Sequence, residues 1–109
     1  MLHIYVKSGV WRLYESKEWR FDVDEEKRGR LLNLESTTTL EELKVMVSED
    51  FGVDQGMEVE LSYFPTDISL DCPPVILMNN RQVSNFFSYL KKKTSLNLCV
   101  TFKAGAEDR

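Results

Sequence analysis

Apolar and polar residues alternate with a period of two from the start of the chain: Leu2, Ile4 and Val6 interleave with His3, Tyr5 and Lys7, which predicts a strand over residues 2–7 with one buried face. After Ser8-Gly9, the stretches Val10 to Tyr14 and Glu18 to Asp24 are rich in aromatic and β-branched residues, with Glu15-Ser16-Lys17 as a polar corner between them. They read as a hairpin or as one extended strand, in which Trp19, Phe21 and Val23 share one face and Arg20, Asp22 and Asp24 the other. "EEKRGR" then reads as a charged surface loop, and Leu32 and Leu34 as a further strand.

The period changes to 3.6 in "STTTLEELKVMVSEDFG". A threonine followed three residues later by a glutamate, Thr38 with Glu41 or Thr39 with Glu42, is a capping-box signature that starts a helix near Leu40. Leu40, Leu43, Val47 and Phe51 form its apolar stripe, and Gly52 supplies a left-handed stop. "MEVELSY" returns to alternation, with Glu58, Glu60 and Ser62 on a solvated or partner-facing side. "PTDISLDCPP" is an irregular connection, and Val75 to Met78 a short strand. A second helix follows with Val83, Phe86, Phe87 and Leu90 at i, i+3, i+4 and i+7, and a last strand alternates Leu96, Leu98, Val100 and Phe102. The expected fold is α+β: a mixed sheet of four to five core strands plus an extra N-terminal hairpin, with two helices on one face. Its element order is that of the ubiquitin-like β-grasp. Residues 1–103 are expected to form one domain and residues 104–109 a flexible tail or the start of a linker.

The 42% apolar and 29% charged content is that of an ordinary foldable domain. Eighteen acidic against fourteen basic residues give a charge of −4, which disfavours nucleic-acid binding through phosphate neutralisation. No apolar run reaches the about 18 residues of a membrane span, and Met1 opens onto a strand pattern instead of a charged leader, so an intracellular protein is expected. Cys72 and Cys99 have no CxxC pairing and His3 is the only histidine, so neither a metal site, a redox motif nor a catalytic constellation can be assembled. No cofactor and no small-molecule substrate are expected.

Binding residues are the remaining chemistry. Asn79 or Asn80 suits the N-cap of the second helix, and Arg81 beside them is either solvated or available to a carboxylate. Lysines at the end of that helix, Lys91 to Lys93, are accounted for by its negative end. His3, Tyr5 and Lys7, with Arg12 and Arg20, are placed to form a basic aromatic face for an acidic partner, although a lone outward lysine also serves as edge protection. Trp11 and Trp19 read either as core or as partner anchors, and Cys99 is expected on the open sheet face as an oxidisable thiol.

The motifs "VKSGVWR", "RLLNLESTTTLEELKVMV", "MEVELSYF", "VILMNNRQVSNFFSYL" and "LNLCVTF" together resemble the PB1-like, ubiquitin-like domain at the N-terminus of plant Mutator-like transposases and transposase-derived proteins. Members of that family often carry an acid where Asn80 stands. The resemblance implies a nuclear protein whose catalytic region lies beyond residue 109, and a non-catalytic association domain here. PB1 domains associate front to back, a lysine on the first strand meeting an acidic loop of the next domain. The resemblance puts Lys7 in the basic role and leaves Asp67 and Asp71 for the acidic one, with Asn79, Asn80 and Arg81 at its far end. That thinned acidic half disfavours self-polymerisation in the usual mode. The expected partner is thus a protein, homotypic or heterotypic. The alternative is an accessory nucleic-acid-binding domain that helps a transposase-like protein engage DNA.

Overall fold

The computed structural model describes residues 2–54, 56–65, 68–92 and 96–103. In chain order its elements are β1 (Leu2–Leu13), β2 (Trp19–Val23), β3 (Arg30–Leu34), α1 (Leu40–Phe51), β4 (Glu58–Tyr63), β5 (Val75–Ile76), α2 (Asn80–Lys92) and β6 (Leu98–Lys103). The sheet runs β2-β1-β6-β4-β5, with β3 also paired to β1. β1 and β6 are parallel, and the other pairs are antiparallel. This is the expected mixed sheet with two helices, an α+β β-grasp.

The first strand does not stop at residue 7, where the alternation ended it. β1 runs on through Ser8-Gly9 and changes partners: residues Leu2 to Val6 pair with β3, Val6 to Ser8 with β6, and Gly9 to Leu13 with β2. The expected hairpin is therefore the distal half of β1 folded against β2. The predicted strand at Val75 to Met78 is shorter than its apolar run, ending at Ile76, although Leu77 is buried and its amide donates to the Leu61 carbonyl at 2.8 Å.

Ile4, Val6, Leu32, Leu34, Val59, Leu61, Leu98 and Val100 point to one side of the sheet, where they form a single buried cluster with Leu40, Leu43 and Val47 of α1 and Val83, Phe86, Phe87 and Leu90 of α2. Burying such apolar area is the main favourable term in folding.

The capping box belongs to Thr39 and Glu42. The Glu42 amide donates to Thr39 Oγ1 at 3.2 Å, and the Thr39 amide donates to the Glu42 carboxylate at 2.9 Å. Gly52 closes α1 with φ 68°, as its position predicted.

The two asparagines divide the work of starting helices. Asn79 caps α2, accepting from the Gln82 amide at 2.9 Å. Asn80 turns to the other helix, and its Oδ1 accepts from the Leu40 amide at 2.8 Å. Leu40 is the first residue of α1, so its N–H has no partner within the helix. Asn80→Ala is expected to destabilise by about 1–2 kcal/mol in urea unfolding, because a part-buried donor loses its acceptor. Asn80→Asp should hold stability at neutral pH, since a carboxylate accepts the same bond and is favoured at a helix N-terminus. An alanine variant as stable as the parent would show that water replaces the amide oxygen.

Candidate partner-binding site

Strand alternation sends Lys7 and Trp11 to the face turned away from the helices. Ser62 and Cys99, paired in register between β4 and β6, share that face, and Lys7 lies opposite Cys99. The face is not open, contrary to what the alternation of β4 and β6 alone predicts. Ser62 and Cys99 are buried, because the hairpin of β1 and β2 and the connection after β4 fold over them. Trp11 is the hinge of this cover. Its indole Nε1 donates to Ser62 Oγ at 2.7 Å, its ring meets Phe21 edge-on with centroids 5.1 Å apart, and Phe64 packs at 5.9 Å. The Trp19 amide donates to the Leu70 carbonyl at 2.8 Å, which ties the far side of β2 to the same connection.

These pieces enclose a cleft of about 500 Å³ lined by Trp11, Trp19, Phe21, Phe64, Ile68 and Leu70, with Lys7 and Arg20 at its polar edge. A smaller recess of about 150 Å³ runs from it past Lys7 towards Leu96 and Cys99. Ile68 and Leu70 are among the exposed large apolar residues. An aromatic-walled concavity with few polar groups has the make-up of a recognition site.

Lys7 is half-buried, with its Nζ 5.8 Å from the centroid of the Phe21 ring, within cation–π range. It sits inside the sheet, so the edge-protection reading does not apply. Among the described residues no carboxylate pairs with it. Its charge is felt by Cys99. Burial pushes that thiol up to about 12 while the lysine pulls it the other way. Cys99 is thus a protonated, covered thiol and not the oxidisable group expected on an open face; Cys72 is the exposed one.

The other candidate residues are distributed differently. Tyr5 shares the Lys7 side of β1 and is exposed, its ring lying against Gly29 so closely that a Cβ there would strike it. His3 bonds Asn33 across β3. Arg12 points away from the cleft, because it alternates with Trp11, and its Nε meets the Asp22 carboxylate at 2.7 Å. Asp22 also accepts from the Tyr14 hydroxyl, a bond that raises the tyrosine's proton affinity. Arg20 is drawn to Glu18 at 3.1 Å and lies 5.5 Å over the Tyr14 ring, yet it still reaches the cleft edge. Asp71 and Arg81 are exposed, one in the connection and one in the first turn of α2, and no contact joins them to the cleft. Asp67 lies outside the described residues. The structure puts Lys7 and Arg20 at the edge of one cleft and sets Arg12 directly opposite Arg20 in the β1–β2 register, outside that cleft, with Asp71 and Arg81 elsewhere.

The aromatic walls were present in the sequence as Trp11, Trp19, Phe21 and Phe64, but not their convergence. The available signal was an aromatic density higher than a two-stranded hairpin needs for itself. Among the described residues no group of three or more metal-ligating side chains is gathered together, and no helix is long and apolar enough to cross a membrane.

No protein-family model matches the chain, and no curated protein matches it in sequence. Among solved structures it is similar to a PB1 domain of AtNBR1, determined by cryo-EM in an L-type filament, at 16% sequence identity. The superposition has a TM-score of 0.54 and covers 96% of this chain and 100% of that one. Identity this low speaks to architecture alone, and the architecture is that of a PB1, ubiquitin-like domain.

Proposed function

We propose that residues 1–103 form a non-catalytic association module that captures an acidic protein partner through the Lys7 cleft, within a transposase-derived nuclear protein. The observation that carries the reading is Lys7 itself. A half-buried lysine without a carboxylate among the described residues, set beside an aromatic cleft, is a cation to which a partner can supply the opposite charge. The filament described for AtNBR1 supports association as the use of this fold. The wider context rests on the resemblance of motifs such as "RLLNLESTTTLEELKVMV" and "MNNRQVSNFFSYL" to the Mutator-like domain.

Sedimentation velocity of the domain up to about millimolar concentration tests the reading, because weak modules associate in that range. Concentration-dependent association is expected, and Lys7→Glu should weaken it by at least about tenfold, since a desolvated pair becomes a like-charge contact. Association unchanged by Lys7→Glu would remove the cleft as the interface. A domain that stays monomeric would point to heterotypic partners.

A further inference from the structure

Charge is distributed unevenly along this chain. The stretch from Cys72 to Lys103 holds no aspartate or glutamate and five cations, Arg81, Lys91, Lys92, Lys93 and Lys103, so the acidic excess belongs to the remaining residues. Most of those cations are on α2. Its residues Val83, Phe86, Phe87 and Leu90 are buried in the core, which leaves Arg81, Ser84, Asn85, Ser88, Lys91 and Lys92 exposed. At 3.6 residues per turn these six fall within an arc of about 120° opposite the core stripe. All six are hydrogen-bond donors. The negative end of α2 accounts for lysines in its last turn, but not for a helix without a single acid, nor for Arg81 in the first turn, where the positive end disfavours a cation. Among the described residues no salt bridge holds Arg81, Lys91 or Lys92, whereas Lys103 is taken by Glu60 at 3.3 Å.

We infer that this face of α2 is a docking surface for the sugar-phosphate backbone of a nucleic-acid duplex. The row from Arg81 to Lys92 is about 16 Å long, the axial length over which one strand of a duplex carries about five phosphates. Cations at both ends with neutral serine and asparagine donors between them match a line of phosphate oxygens, which accept from both kinds of group. A protein or membrane partner fits less well, because α2 exposes no apolar or aromatic anchor for an interface core or for insertion between lipids. Its aromatic residues Phe86, Phe87 and Tyr89 are packed in or against the core, so unpaired bases find no platform to stack on and a duplex is favoured over a single strand. The charge of −4 opposes binding by the molecule as a whole, but segregation makes one face of an acidic domain basic. This face lies across the sheet from the Lys7 cleft and is independent of the association reading.

Fluorescence anisotropy of a labelled duplex, prepared once as DNA and once as RNA, tests the inference across a salt series. Both duplexes should bind in about 50 mM salt, and with three cations engaged the affinity for DNA should fall about 40-fold by about 200 mM, a log-log slope of about −2.7. Lys92→Gln alone should reduce that slope by about 0.9. Arg81→Gln, Lys91→Gln and Lys92→Gln together should abolish binding, while circular dichroism shows the variant folded, since all three positions are exposed. Lys17→Gln, Lys27→Gln and Arg28→Gln remove the same charge from the acidic part of the chain and should leave binding in place. Equal loss in both triple variants overturns the inference, because total charge alone would then decide. So does the absence of binding at about 50 mM salt, or an affinity that does not respond to salt. Binding of one duplex alone upholds the surface and identifies the helical form it fits. Retention by phosphatidylserine vesicles or by polyglutamate, with neither duplex bound, overturns the duplex as ligand and assigns the face to a membrane or an acidic protein.

Discussion

Phe86→Ala is expected to remove about 3–5 kcal/mol of stability, a large share of the about 5–15 kcal/mol that a domain possesses. Phe86 is fully buried at the centre of the cluster. Its ring lies 4.8 Å from Tyr63 on β4 and 6.0 Å from Phe87, so it locks α2 to the sheet. Alanine would lose the transfer energy of the ring and leave a cavity between two rigid elements that cannot close over it. The melting temperature should fall by about 15–30 °C, since each kcal/mol is worth about 4–8 °C in domains somewhat smaller than this. Urea unfolding monitored by far-ultraviolet circular dichroism measures it directly. A loss below about 1 kcal/mol would mean that Tyr63 and Tyr89 repack into the space.

Gly9→Val is expected to act on the cleft more than on the core. Gly9 sits where β1 leaves β6 and takes up β2, opposite Val23, and its carbonyl accepts from Thr101 Oγ1 at 2.8 Å. A Cβ there would run into the backbone carbonyl of Asp22 and touch the Phe21 ring. Glycine is required at this position for close approach, not for an unusual backbone angle. Because the obstacle is backbone, β2 must move as a unit, at a cost of about 1–3 kcal/mol. β2 carries Trp19 and Phe21, so its displacement opens the cleft wall. Tryptophan fluorescence should shift to the red, amide protons of β2 should exchange faster than those of α2, and association should weaken. If Trp emission and β2 protection match the parent, then β2 absorbs the side chain without moving.

The helices were legible in the sequence because their signals are local. Thr39, Glu42 and Gly52 mark both ends of α1 within its own segment, and the stripe of Val83, Phe86, Phe87 and Leu90 identifies the buried face of α2 without knowledge of its neighbours. Lys7 was placed on the correct side of its strand by alternation alone. What remained hidden depends on residues distant in sequence. Ser8-Gly9 has turn composition, and only the carbonyl of Asp22 explains why a glycine is needed inside a strand. Asn80 looks like a cap for its own helix, and its bond to Leu40 spans forty positions. Cys99 and Ser62 alternate as exposed residues would, and their cover comes from a hairpin and a proline-bounded connection whose path has no periodicity. The cleft is made at that convergence, so its walls were visible individually and its existence was not.

The placement of β6 has a consequence for how the chain acquires its structure during synthesis. Among the described strands β6 is the last in chain order, yet it lies between β1 and β4 and joins the two halves of the sheet. Until it emerges, β1 can pair only with β2 and β3, and β4 only with β5, as separate ribbons with unpaired edges. A nascent chain therefore holds both helices and five strands without a common core to dock on. The two ribbons can join into one sheet only once β6 has emerged, and a chain arrested before that point exposes their strand edges.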